Sequence, residues 1–274
     1  MKVALLISGN PRTFVFKEQI IFFNNLKNKL IDEKNEVDVY IFLKILDSKE
    51  NNYFISKEGL TNFRNQIKNL NPRYVKIINY FDKNYENSHR KKLYRCYYNQ
   101  MKPIDILLSK ANRYDNYNWF IRVRPDLYID LEKFNFKLNK KNKNIVYTGL
   151  KTDSRGNDMF FIFSKKMYER WWCENIKNNI LNHSSVHKSP EYIIFKFLNK
   201  KQICQDKNAI CGLIRKHNLC QTWSFKKNNK NAYLKLKRFW MEKENFKKIS
   251  YDEFEKIIKY IIIKNKNIRY AHQY

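Results

Sequence analysis

Three short stretches of this chain gather side chains suited to handling a phosphate or a sugar hydroxyl. The first is Ser8-Gly9-Asn10-Pro11-Arg12-Thr13, which follows the apolar run Val3–Ile7. Gly9 permits a tight turn and close backbone approach to a ligand. Backbone N–H groups at the start of a following helix favour an anion, and Arg12 adds a forked donor matched to phosphate. The same residues would also serve as an ordinary strand-to-helix turn carrying a surface arginine. The stretch is neither GxGxxG nor a P-loop, so it supports neither a dinucleotide fold nor an ATPase.

The second stretch is Ile121-Arg122-Val123-Arg124-Pro125-Asp126-Leu127-Tyr128-Ile129-Asp130. In a strand, alternation puts Ile121 and Val123 on the core side and Arg122, Arg124 and Asp126 on the other. Pro125 has no N–H, so strand pairing should stop there. Two guanidinium groups beside one carboxylate form either a structural ion pair or a diphosphate site. In the second case Asp126 would hold Mn2+ or Mg2+ and the arginines would share the phosphate charge.

The third place joins two segments, Gly156-Asn157-Asp158 before "MFFIFS" and Ser189-Pro190-Glu191 before an apolar helical pattern. Glu191 reads as a general base for a hydroxyl and Asp158 as a hydroxyl-binding carboxylate. The simpler alternatives are a strand-edge residue and an acid favoured by a helix N-terminus.

The elements that must position these groups follow from hydrophobic periodicity. Strands are expected at 3–8, 37–43, 74–80 and 119–123, and helices at 14–31, 60–70 and 92–112. Such alternation argues for βαβ crossovers and an α/β fold with a mixed, mostly parallel sheet flanked by helices. Two strands with no full helix between them, 144–148 and 159–163, read as antiparallel additions. Helices at 165–180 and 191–199 and a short strand at 221–225 complete a domain over 1–225, leaving 226–274 as a basic helical extension that packs on it.

Composition narrows the classes. In 274 residues there are 55 Lys+Arg against 26 Asp+Glu, a formal charge of +29, with 43% hydrophobic and 16% aromatic residues. That aromatic content excludes a disordered tail protein. The basic excess suits an anionic partner, whether a small substrate, a membrane surface or a nucleic acid, and it is equally what a Lys- and Asn-rich gene composition would give. No run approaches the roughly 20 apolar residues of a membrane span, and Gly9 to Arg12 interrupt any secretory h-region, so the expected location is cytoplasmic. Cys204, Cys211, His217 and Cys220 have the ligand types for tetrahedral zinc, but their gaps match no common spacing, and buried free thiols are the simpler reading.

Taken in order, "ALLISGNPRTF", "YDNYNWFIRVRPDLYID", "GNDMFFIFS" and "SPEYIIFKFL" resemble a group of GT-A-type glycosyltransferases found in large DNA viruses and in bacterial polysaccharide loci. The resemblance spans roughly residues 1–205, and the RxRPDL block is its most specific part. It implies a Rossmann-like GT-A fold and a nucleotide-diphosphate-sugar donor. The acceptor would be a glycan or a lipid-linked hydroxyl, with peripheral contact to anionic membrane where the acceptor is lipid-linked. Ser8, Gly9, Asn10, Arg12, Arg122 and Arg124 would hold the nucleotide and its diphosphate. In this group a divalent metal usually sits on an Asp-x-Asp motif. Here Arg124-Pro125-Asp126 stands in that place, which makes Asp126 the implied principal ligand and Asp130 the secondary one. Glu191 falls roughly where inverting members place their base. The alternative function is a basic nucleic-acid-binding protein without catalysis, suggested by charge and by Tyr94, Tyr97 and Tyr98 near Arg95. No RNP, KH, zinc-finger or helix-turn-helix signature accompanies it, so nucleic acid is the disfavoured partner.

Overall fold

The structure is a computed structural model, and it describes residues 1–11, 14, 17–45, 57–79, 101–129, 131, 138, 143–149, 159–177, 194–206 and 211–213. Strand β1 (Lys2–Gly9) is continuously apolar from Val3 to Ile7 and buried on both faces, as parallel central strands are. It pairs in parallel with β2 (Glu36–Ile45) on one side and with β4 (Trp119–Val123) on the other, and β2 pairs in parallel with β3 (Pro72–Asn79). Beyond β4 the direction changes. Strand β7 (Phe160–Ser164) runs antiparallel to β4, β6 (Val146–Gly149) antiparallel to β7, and β8 (Ile203–Asp206) parallel to β6. The seven-stranded order is β3-β2-β1-β4-β7-β6-β8. A two-stranded sheet joins β5 (Leu127–Ile129) to β9 (Cys211–Leu213).

Helices cover both faces. Helix α1 (Lys17–Asp32) buries Ile20, Phe23, Leu26 and Leu30, and α2 (Lys57–Lys68) buries Phe63 and Ile67. These pack on one face with Val3, Leu5, Ile7, Ile121 and Val123. On the other face, α3 (Lys102–Tyr114) lays Ile104, Leu107, Leu108 and Ala111 against Ala4, Leu6, Tyr40 and Phe120. The alternating positions of β1 thus feed two separate cores.

Helix α4 begins as an α-turn (Lys165–Met167) and continues as a π-helix (Tyr168–Lys177). An α-helix was expected here. Its buried residues are Met167, Trp171, Trp172 and Ile176, spaced wider than an α-helix requires. The wider turn brings both indoles to the core. Each indole N–H has a partner, Trp171 Nε1 donating to the Ile194 carbonyl at 2.8 Å and Trp172 Nε1 to Asp105 Oδ1 at 3.2 Å. The helix expected over 191–199 is also shorter: of the described residues only Ile194 and Phe195 are α-helical. Asn199 is extended and caps the 3-10 turn Lys200–Gln202 through a capping box. Residues 92–100 of the long helix, the strand at 221–225 and the extension 226–274 lie outside the described residues. Among those described, no helix is long and apolar enough to cross a membrane.

The N-terminal edge of the sheet is tied by polar side chains. Tyr117 donates to Asp38 Oδ2 at 2.5 Å and shares a hydrogen with Tyr40 at 2.8 Å, while Arg73 Nε pairs with Asp38 Oδ1 at 3.1 Å. Lys2 Nζ reaches Asp115 Oδ2 at 2.8 Å. Burial and the bond to Asp38 push the Tyr117 hydroxyl well above the usual phenol range. A Tyr117→Phe variant is expected to lose about 1–2 kcal/mol in urea unfolding, by removing one partner of Tyr40 and the donor to Asp38 Oδ2. Its activity per folded molecule should be unchanged, because this network sits at the edge of the sheet opposite the candidate site.

Candidate active site at the carboxyl ends of β1 and β4

Strand order decides where a ligand fits. After β1 the chain crosses to β2 and β3 on one side, whereas β4 lies on the other side of β1. The order therefore reverses between β1 and β4, and in open α/β sheets the ligand crevice forms beyond the carboxyl ends of the strands at that switch point. Ile7 is in register with Val123, so Ser8-Gly9 and Arg124-Pro125-Asp126 leave the sheet side by side.

The second stretch ends its strand as the proline requires. The Arg124 N–H donates to the Met159 carbonyl at 3.0 Å, the last bond of the ladder, and the Leu127 N–H closes a turn onto the Arg124 carbonyl at 3.1 Å. Pro125 takes the position that favours proline in such turns. Gln19 of α1 donates from Nε2 to the Leu127 carbonyl and anchors the far end of the turn.

Gly9 lies against this turn. Its φ is +143°, and a Cβ there would stand 3.0 Å from Pro125 Cδ. The glycine is thus required both by its backbone conformation and by the approach of β4. A Gly9→Ala variant is expected to lose about 1–3 kcal/mol in thermal unfolding and to move the Pro125 turn. Wild-type stability would show that the two strand ends do not constrain each other.

The arginines separate. Arg122 is 2% exposed and lies on the α3 face, while Ile121 and Val123 lie on the opposite one, as alternation predicts. Its Nε donates to Ser8 Oγ at 3.3 Å and its Nη2 to the Ser8 carbonyl at 3.5 Å, with the guanidinium 5.6 Å from the Phe161 ring. Arg124 instead grips Asp126 through both oxygens, Nε to Oδ1 at 3.0 Å and Nη2 to Oδ2 at 3.1 Å. The Asp126 side chain is 0% exposed and that of Arg124 15%. The structure therefore brings together Ser8 with Arg122, Gly9 with Pro125, and Arg124 with Asp126. Asn10 follows Gly9 and is half-buried.

This donor set does not fit a divalent cation held by Asp126. Mg2+ and Mn2+ take carboxylate oxygens presented openly, and here a fully buried carboxylate already accepts from a guanidinium through both oxygens. No group of three or more His, Cys, Asp or Glu able to hold a metal occurs among the described residues. Asp130, Asp158, Glu191 and Arg12 lie outside the described residues. The zinc candidates do not form a group in what is described. Cys204 is exposed on β8 and Cys211 belongs to β9 in the other sheet, while His217 and Cys220 lie outside the described residues.

One charged residue at this end of the sheet escapes a motif-based reading. Lys44, near the end of β2, is 2% exposed, and burial followed by the charge of Lys102 lowers its pKa to about 7. The signal in sequence is a lysine interrupting the apolar run "VYIFLKI".

No family model matches this sequence, and no curated protein matches it. Solved structures give distant likenesses. A glycosyltransferase involved in glycosylation of the major capsid of PBCV-1 superposes with a TM-score of 0.41 at 8% identity, covering 75% of this chain and 82% of that one. The galactosyltransferase LgtC, in complex with donor and acceptor sugar analogues, superposes with a TM-score of 0.36 at 8% identity, covering 75% and 73%. Apo GlyE of Streptococcus pneumoniae TIGR4 superposes with a TM-score of 0.37 at 14% identity, covering 75% of this chain and 46% of that one. Likenesses of this size assign neither a residue nor an activity to this chain.

Proposed function

We propose that the chain is a glycosyltransferase that binds a nucleotide-diphosphate sugar beyond the carboxyl ends of β1 and β4 and transfers the sugar to a hydroxyl of a glycan or lipid-linked acceptor. The observation that carries this reading is the convergence of Ser8, Gly9, Arg122 and the Arg124-Pro125-Asp126 turn at the point where strand order reverses. The order of motifs that resembles GT-A enzymes supports it from the sequence side.

In the proposed reaction a bond forms between the acceptor oxygen and the anomeric carbon as the bond from that carbon to the diphosphate oxygen breaks. The electron pair leaves with the diphosphate. Arg122, held by Ser8, meets the growing charge with a fixed, buried guanidinium that needs no reorganisation. Arg124 contributes from the Asp126 pair, whose carboxylate orients its fork. The acceptor proton passes to a carboxylate, for which Glu191 is the proposed base and Asp158 the proposed hydroxyl ligand. Asn10 and Arg12 complete the proposed nucleotide contacts.

A hydrolysis screen over nucleotide sugars, run with and without Mn2+, tests the reading without knowledge of the acceptor. Release of nucleoside diphosphate from one donor, lost in Arg122→Gln, is the expected result. Wild-type protein that neither cleaves nor binds any nucleotide sugar would overturn it.

A further inference from the structure

The outer edge of the sheet carries a groove that the donor site does not use. Strand β3 ends the sheet order, and among the described residues it pairs only with β2. Its other side presents a row of backbone N–H and C=O groups, the arrangement that accepts a further strand. Val75 and Ile77 stand in register with Ile41 and Leu43, on the face that α1 and α2 cover. The cover is incomplete there. Val75 is 41% exposed, and Ile67, Pro72, Val75 and Ile77 make the apolar floor of a groove of about 320 Å³ between α2 and β3. Arg64 and Lys68, four residues apart on α2 and both exposed, form its rim. Tyr74 and Lys76 belong to the opposite face, where Lys76 is exposed and the Lys110 ammonium of α3 lies 5.5 Å from the Tyr74 ring centre.

These features select one kind of occupant. A lipid surface would leave the edge N–H and C=O groups without partners, because hydrocarbon supplies none. A second copy of this chain, paired β3 to β3, would set Arg64, Lys68 and Lys76 against the same cations of its partner, in a chain of formal charge +29. An extended acidic segment meets neither objection. We propose that the β3 edge is a docking surface for an extended, acidic segment of a partner protein, which adds a strand beside β3. Main-chain hydrogen bonds hold the segment, and its alternate side chains divide between the two faces. Apolar side chains on one face fill the groove over Val75 and Ile77. Carboxylates on the other face meet Lys76 and Lys110, and a flanking carboxylate meets Arg64 and Lys68.

The test is fluorescence anisotropy of the full chain with a labelled peptide of about six alternating Glu and Val residues, the length of an ordinary strand. Salt is held at about 0.15 M, so that long-range attraction to a basic chain is screened. Wild type is expected to bind the peptide, and Val75→Asp to bind it about 10-fold or more weakly. The double variant Arg64→Glu with Lys68→Glu should lose about as much. It changes only exposed helix positions, so it keeps the test decisive where Val75→Asp fails to fold. The same peptide N-methylated at alternate residues should also bind about 10-fold or more weakly, a loss that charge attraction alone does not produce. Equal affinity in wild type and the double variant, or for the plain and N-methylated peptides, overturns the proposal. So does an absence of binding to wild type. If that absence comes with retention on phosphatidylserine vesicles, the edge faces a membrane. If it comes with self-association in sedimentation velocity that Val75→Asp abolishes, the edge faces a second copy.

Discussion

An Arg124→Ala variant is expected to lose about 3–5 kcal/mol of stability and to cut sugar transfer about 100- to 1000-fold. The size follows from the asymmetry of the ion pair. Asp126 is 0% exposed and Arg124 15%. Removing the arginine takes a bidentate partner from a carboxylate that water cannot reach, and weakening the compensation of a buried charge is among the most damaging single changes. Asp126→Ala should cost less, about 1–3 kcal/mol, because a partly exposed guanidinium can turn toward solvent. The double variant should recover part of the loss, since neither charge is then left alone. Urea unfolding of all four proteins as a double-mutant cycle measures the coupling, and donor hydrolysis per folded molecule measures the chemistry. Arg124→Ala with wild-type stability would show that the pair does not hold the turn. Reduced stability with unchanged hydrolysis would make the pair structural only.

The second large effect lies at Lys44 and depends on pH. Its folded-state pKa is about 7, against an ordinary value of 10.5. Between these two values the unfolded chain carries a proton that the folded chain does not. Stability therefore rises with pH across this window and is lowest below it, where the ammonium is charged in both states and its burial is penalised in full. Each pH unit of the window is worth about 1.4 kcal/mol, so the whole rise is on the order of 5 kcal/mol. Lys44→Met is expected to be more stable than wild type by several kcal/mol at pH 6.5, with the two proteins converging near pH 10. Urea midpoints across this range check it. Parallel curves would show that Lys44 is well solvated in the folded protein.

The main sheet was legible from its pattern. Strands expected at 3–8, 37–43, 74–80 and 119–123 appear as β1 to β4 with ends shifted by up to two residues, and the two additions appear as β6 and β7 with the expected antiparallel sense. β1, β4, β6 and β7 are buried on both faces, so a continuous apolar run is their signature, whereas the edge strand β3 exposes Val75. The short strands β5, β8 and β9 have three or four residues each and carry no such run. Their pairing depends on distant partners that local periodicity does not report. The π-helix was hidden for a related reason: two adjacent tryptophans suit an α-helical pattern until both must face one core. Within the site, alternation correctly set Arg122 apart from Ile121 and Val123. Of the two alternatives the sequence offered for this stretch, the ion pair is present between Arg124 and Asp126, but it forms through a turn that strand alternation does not describe, and Arg122 stands apart from it.

The reversed direction of β7 has a consequence for how such a chain can diversify. Because β6 runs with β4 and β7 against it, β6 finishes and β7 begins at the edge where Val123 ends, Phe160 standing opposite Val123. Gly149 and Met159, which flank residues 150–158, therefore both lie at the carboxyl edge of β4, where the proposed donor site sits. Under the proposed transfer, exchanging residues 150–158 is expected to change acceptor choice more than donor choice.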